Sequence, residues 1–196
     1  IALSSLVPQH QAYEPVVSSS DDLISVTWKD TRYGCLDWGF CTILEKHFDY
    51  LTGEWTQEQN MTEEPRGVFS RSAIKGDVVA VTWNESFPPE FHLKVRVSTT
   101  RGTYWTEPFD LTPEPGAYAD VSAIAINNNT IHIVYDKRIG ISPNGVYRLF
   151  YRRGEILPNS VREAHSHPQQ IELLQNYPNP FNPQTAIGFS LLAVGN

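Results

Sequence analysis

The stretch Leu23-Ile24-Ser25-Val26-Thr27-Trp28-Lys29-Asp30 decides the fold. Ile24, Val26 and Trp28 alternate with smaller or polar residues. Period-two alternation of β-branched and aromatic side chains marks a half-buried strand. The pattern returns as Val78-Val79-Ala80-Val81-Thr82-Trp83-Asn84-Glu85 and as Thr130-Ile131-His132-Ile133-Val134-Tyr135-Asp136-Lys137. Its anchors Trp28, Trp83 and Tyr135 recur roughly every fifty residues. Such a period is one supersecondary unit repeated, each copy burying its apolar face against the next.

Working outward, each copy sits among further short strands. The first unit opens near Val16-Val17, continues through Trp28, and adds strands near Phe40 to Lys46 and Glu54-Trp55-Thr56. The second unit repeats the order with Ser72 to Ile74, Val78 to Trp83, Leu93 to Ser98 and Tyr104-Trp105-Thr106. The third gives Val121 to Ile126, Ile131 to Tyr135 and Val146 to Arg152. Lys75-Gly76-Asp77 and Asn127-Asn128-Asn129 read as tight turns, because Gly and Asn tolerate positive φ. No convincing helix longer than two turns is present. Four short antiparallel strands per unit predict β-propeller blades.

Composition sets limits. Hydrophobic residues at 40% of 196 allow a sizeable core. A net charge of −7 suits solubility and argues against nucleic acid or an anionic membrane as partner. No apolar run approaches the ~18 residues of a membrane span. The chain opens at Ile1 without a charged-then-apolar leader, so a signal peptide or a longer N-terminal part is expected to have been removed. The two cysteines, Cys35 and Cys41, sit in one short segment. They read either as a disulfide closing a hairpin in an exported protein or as two half-buried thiols. Nothing in the sequence calls for a cofactor. His165 and His167 lack a third ligand, so no metal site is expected.

The strand-plus-loop pieces SVTWKDTRYG (25–34) and IHIVYDKR (131–138), the latter followed by VYRLFYRR (146–153), resemble blades of the sialidase-like, Asp-box propellers. Ser98, Gly102 and Trp105 match that family's S-x-D-x-G-x-x-W turn, with Thr100 where the aspartate belongs. The resemblance covers roughly residues 12–153, within a blade region expected to span 12–158. It implies about three blades of a six-bladed ring, and hence a partial propeller.

A second resemblance lies in Asn176-Tyr177-Pro178-Asn179-Pro180-Phe181-Asn182-Pro183. This run is similar to the opening of the C-terminal sorting domain of type IX secretion cargo. Each proline removes a backbone donor and forces extended geometry on the residue before it. Ile187, Phe189 and Leu191 then alternate as one strand. The resemblance implies a β-sandwich sorting domain truncated after its first strand, spanning 173–196. Residues 159–172 form a polar linker broken by Pro168. The fold class expected is all-β throughout. Export by the type IX machinery to the medium or outer surface of a Gram-negative bacterium follows from the resemblance. The clipped tail is expected to lie loose, its strand lacking partners.

Candidate site residues come from the loops after each second strand: Asp30 and Arg32, Glu85, and Asp136 and Arg138, with Tyr33 nearby. The sialidase-like family clamps a substrate carboxylate with arginines, since the guanidinium fork fits it bidentately. These residues read either as such a ligand face or as solvated loop charges in local ion pairs. Trp38 and Phe40 read either as a sugar-stacking platform or as packing under the loop. The function expected is a carbohydrate- or protein-binding module, with an exo-sialidase-type glycoside hydrolase as the alternative. No turnover is expected from this stretch, because a clamp needs side chains from a whole ring.

Overall fold

The computed structural model describes residues 2–4, 9–36, 39–140, 145–157, 171–177 and 186–192. Among them the fold is all-β, arranged in two sheets with no α-helix.

The first sheet holds two groups of strands. The first group is β1 (Ala12–Ser19), β2 (Leu23–Leu36) and β3 (Phe40–Asp49), paired antiparallel, with the short β4 (Glu54–Trp55) and β5 (Gln59–Asn60) both against β3. The second group is β6 (Gly67–Lys75), β7 (Val78–Phe87), β8 (Glu90–Ser98) and β9 (Phe109–Asp110). One bridge, Cys41 to Gly67, joins the groups. Gly67 is required there: a Cβ would lie 2.6 Å from Ile43 Cγ1 and 2.8 Å from Thr62 Cγ2. The second sheet runs β10 (Ala119–Asn127), β11 (Thr130–Ile139), β12 (Val146–Leu157), then β14 (Ala186–Leu192) and β13 (Ile171–Tyr177).

Trp28, Trp83 and Tyr135 each lie in the second strand of their group, opposite Leu44, Lys94 and Phe150 of the third. All three are buried. The expected alternation holds in β11, where Ile131, Ile133 and Tyr135 are buried; β7 is buried on both faces, and in β2 the fully buried positions are Leu23, Ser25 and Thr27, with Ile24 and Val26 half-buried. Val81 and Trp83 meet Ile43 and Met61 between the first two groups. Ala80, Val95 and Val97 meet Ile131, Ile133 and Tyr135 between the second and third. Trp83 is fully buried, so its truncation to alanine would cost about 3–5 kcal/mol. The same polar link crosses both junctions: Thr27 Oγ1 to Ser70 Oγ at 3.0 Å, and Thr82 Oγ1 to Ser122 Oγ at 3.0 Å.

Two expectations are corrected. The fourth strand of the second group is Phe109–Asp110, not Tyr104 to Thr106. Thr106 donates its backbone N–H to Val97 O at 2.9 Å, but its hydroxyl takes the Val97 N–H at 3.1 Å. A side chain thus replaces a carbonyl in the ladder, and regular pairing resumes only later. Thr56 does the same to His47 in the first group. The tail strand is also not left alone. Ala186–Leu192 pairs in parallel with β12, from Arg152 opposite Ile187 to Leu157 opposite Leu192, and β13 adds to it antiparallel. The edge of β12 offers unpaired backbone groups, and an extended tail nearby satisfies them. Glu172 and Leu173, at the boundary expected between linker and sorting domain, both fall inside β13. Asn176 and Tyr177 end that strand, while Pro178 to Pro183, His165, His167 and Trp38 lie outside the described residues.

Candidate functional site

The links between second and third strands mark one end of the sheets. At that end a pocket of about 660 Å³ opens where the second and third groups meet. Its size suits a small ligand. The first strands supply Val68, Phe69, Ala119 and Asp120; the second group adds Asn84, Ser86, Pro88 and Phe91; Phe40, Arg66 and Tyr118 complete the wall.

Bulges in the first strands aim two of these side chains. The register of each first strand slips at a bulge: between Tyr13 and Val16, between Val68 and Arg71, and between Ala119 and Ser122. A bulge inserts an extra residue and re-aims its side chain. Phe69 occupies the second bulge with φ +53°, a left-handed conformation that a bulky residue rarely adopts. Asp120 occupies the third.

Aromatic rings form a rail along the pocket. Phe40 and Phe91 lie 5.4 Å apart by centroid, and Phe91 and Tyr118 4.4 Å. Tyr147 continues the line 6.3 Å beyond Tyr118. The backbone holds the rail in place: Phe91 bridges Tyr118 in parallel, its N–H donates to Ala117 O at 3.0 Å, and Glu90 Oε1 accepts from Gly116 N–H at 2.6 Å. Phe40 is set by its neighbour Cys41, whose disulfide to Cys35 closes the β2–β3 hairpin with Cα atoms 4.2 Å apart.

The polar groups are unusual in what they leave unmet. Asn84 is 1% exposed, and its Nδ2 donates to Ala119 O at 2.9 Å. A carbonyl only accepts, so the amide orientation is fixed and Oδ1 is the end without a partner. Asp136 Oδ1 is likewise buried and unpartnered. Burial, and next the neighbouring Asp136, raise the Asp120 carboxyl above the ordinary aspartate range. Arg138 lays its guanidinium over Tyr118, Cζ standing 3.9 Å from the ring centroid.

The residues singled out from sequence divide accordingly. Asp30 lies in the body of β2 and is 2% exposed. It accepts from Trp28 Nε1 at 3.0 Å and from Arg32 Nε at 2.8 Å and Nη2 at 2.9 Å. Burial alone would raise its carboxyl, but those bonds hold it below the ordinary value. Arg32 also pairs with Glu58 at 2.8 Å. Glu85 is buried beside Lys94 at 3.6 Å, and burial raises it despite that ammonium. Asp136 and Arg138 border the pocket through Asp120 and Tyr118. Tyr33 is exposed under Arg32. Sequence reasoning missed Asn84, Phe91, Tyr118 and Asp120. The turn-forming Pro88-Pro89 and Pro115-Gly116, each followed by an aromatic, were the available signal.

Among the described residues no cluster of three or more His, Cys, Asp or Glu is placed to hold a metal, and no helix is long and apolar enough to cross a membrane. No family model matches the chain, and no curated protein does.

Solved structures share a distant, partial likeness. A Trypanosoma rangeli sialidase in complex with sialic acid aligns with a TM-score of 0.43 and 11% identity over 72% of this chain. The catalytic domain of a Coprinopsis cinerea GH62 α-L-arabinofuranosidase aligns at 0.41 and 7% over 72%. A family 117 glycoside hydrolase produced by the marine bacterium Zobellia galactanivorans aligns at 0.49 and 9% over 94%. The chain spans 30%, 53% and 70% of those three proteins.

Proposed function

We propose that this chain is part of an exported β-propeller protein and binds carbohydrate in the pocket between its second and third strand groups. The aromatic rail Phe40–Phe91–Tyr118 carries this reading. Sugar rings present flat C–H faces that pack on aromatic rings, while their hydroxyls need polar partners at the rim. Asn84 and Asp120 supply such partners. The antiparallel three-strand core repeated three times, β1–β3, β6–β8 and β10–β12, supports a propeller, and the NYPNPFNP run at 176–183 supports type IX export to the medium or outer surface.

Of the residues proposed from sequence, Phe40 lies in the rail itself, and Asp136 and Arg138 back Asp120 and Tyr118. Asp30 and Arg32 hold each other, and Glu85 holds Lys94; their part is to shape the same end of the sheets.

The alternative, a sialidase-type hydrolase, needs arginines offered to a substrate carboxylate. Arg32 is engaged by Asp30 and Glu58, and Arg66 by Glu64 and the Ser86 carbonyl. A fluorogenic sialoside is therefore expected to give no release. Binding is tested by saturation-transfer NMR against a panel of oligosaccharides. Phe91→Ala should weaken the best ligand about tenfold or more, the loss of one stacked ring. Unchanged binding in that variant, or none in the parent, would remove the pocket from the account.

A further inference from the structure

We infer that His92, in its charged form, positions one wall of the pocket through Glu90. This rests on the carbohydrate reading above and adds the group that holds its site in shape. His92 lies in β8, next to Phe91 of the rail, and is 9% exposed. Both of its ring nitrogens face a carboxylate. Nδ1 stands 2.8 Å from Asp110 Oδ2 on β9, and Nε2 stands 3.0 Å from Glu90 Oε2. An ionised carboxylate only accepts, so each contact is a hydrogen bond only when the nitrogen carries a proton. The imidazolium has two N–H groups and meets both. A neutral ring has one, and sets a lone pair against the other carboxylate.

The other groups around the ring leave room for that cation. Glu85 stands opposite His92 on β7, and Lys94 is shared between Glu85 at 3.6 Å and Asp110 at 3.4 Å. Phe87 meets the imidazole edge-on, 5.8 Å away by centroid, and Arg66 lies 5.1 Å from the Phe87 centroid.

Glu90 passes the constraint on. Its Oε2 faces His92, and its Oε1 accepts from Gly116 N–H at 2.6 Å. The Gly116 N–H, and next His92, hold the Glu90 carboxyl below its ordinary range. Gly116 turns the chain at φ +74°, and two residues later Tyr118 meets Phe91 in the rail. On its far side the same loop is tied by Glu114 to Lys137 at 3.2 Å and to Arg152 at 3.4 Å. When the ring loses a proton, one of its two carboxylate bonds goes. The strut from β9 through His92 to Gly116 is then cut, whichever nitrogen stays protonated.

The test uses the whole chain. In NMR spectra the Gly116 amide resonance should move in step with the His92 ring between about pH 5 and 8, where histidine changes charge. A Gly116 resonance that ignores the ring overturns the inference. The oligosaccharide panel should bind about threefold or more tighter at about pH 5.5 than at about pH 8, the weight of one hydrogen bond. His92→Gln should hold the weaker affinity at both values. Glu90→Gln is the sharper variant, because its amide N–H donates to the lone pair of a neutral ring and keeps the strut whole at the higher pH. The pH dependence should therefore be lost in it. Asp120 also titrates in the pocket wall, and Glu90→Gln leaves that residue in place, so the variant separates the two. Equal affinity at the two pH values in the parent, or the parent's profile in Glu90→Gln, overturns the part assigned to His92. Silence across the panel overturns the carbohydrate reading, and the Gly116 resonance still decides whether His92 holds the wall.

Discussion

The two ends of the strands are built on opposite principles. At the turn end, Arg101 reaches from the loop after β8 into three aspartates. It donates to Asp22 at 2.8 Å, to Asp49 at 3.0 and 3.1 Å, and to Asp77 at 3.2 Å. Beside it, Ser98 Oγ accepts from the N–H groups of Thr100 and Gly102, and Gly102 at φ +80° packs where a Cβ would strike His47 at 2.6 Å. Arg101 holds Asp22 and Asp49 below their ordinary range. At the pocket end, roughly 30 Å away along a ten-residue strand, the balance reverses. Asp120 and Glu85 are raised by burial, Asn84 and Asp136 each leave an oxygen unmet, and Phe69 sits at strained φ. One end pairs its charges and ties two strand groups together, leaving Trp105 Nε1 as its unmet buried donor. The other holds unsatisfied groups in place on a rigid frame, which is where ligand sites are found.

Breaking the Cys35–Cys41 bond should have the largest effect, and at the pocket end. Replacing both cysteines by serine releases a short closed loop, worth roughly 2 kcal/mol. It also frees Phe40, so sugar binding should weaken along with the melting temperature. Loss of stability with binding intact would mean that Phe40 is held by Phe91 alone.

Arg101→Ala tests the other end. It should destabilise by about 1–2 kcal/mol, the range for a small network of partly exposed pairs, and leave sugar binding unchanged. The acid limb sharpens the contrast. Asp22 and Asp49 have folded pKa values below their unfolded ones, so their contribution is present above about pH 4 and is lost as pH falls through the folded values. Urea unfolding between pH 5 and 2 should therefore lose less stability in the variant than in the parent. Asp120 carries the opposite sign: its folded pKa is raised, so its ionisation costs stability as pH rises through that value. Asp120→Asn should accordingly hold or raise stability at neutral pH while it alters binding. A variant of Arg101 that binds sugar poorly would show the two ends to be coupled.

What the sequence made legible was local. Alternation through Leu23 to Trp28 needs only neighbours along the chain, and so do the Gly76 and Asn128 turns, both found at positive φ. What it hid depends on partners across the sheet. A bulge is a register slip between two strands, so nothing in Phe69 or Asp120 announces that it is turned into a pocket. Asp30 reads as a loop charge because Asp-Thr-Arg-Tyr-Gly looks like a turn, yet β2 runs on to Leu36 and Trp28 and Arg32 occupy its carboxylate. The tail's parallel pairing with β12 joins residues separated in sequence by a stretch with no pattern of its own.

Thr100 organises the turn after β8 through its hydroxyl, which accepts from Tyr104 N–H at 2.9 Å. It also donates weakly to Tyr104 O at 3.4 Å, which a carboxylate cannot do. Thr100→Asp exchanges a neutral acceptor for an ionised one. The bond from Tyr104 becomes charge-assisted and shorter, and Ser98 Oγ, now 3.2 Å away, can turn its proton toward the new oxygen. Against this stand the lost donation and the three aspartates gathered round the adjacent Arg101. The difference between charged and neutral hydrogen bonds leaves a net gain of about 0.5–1 kcal/mol. The variant should melt slightly higher at pH 7 and lose that gain below about pH 4, as the carboxylate protonates. A lower melting temperature at neutral pH would show that the aspartates round Arg101 repel the new charge more than the Tyr104 N–H rewards it. In that case threonine is the better residue for a turn that already carries its own acidic cluster.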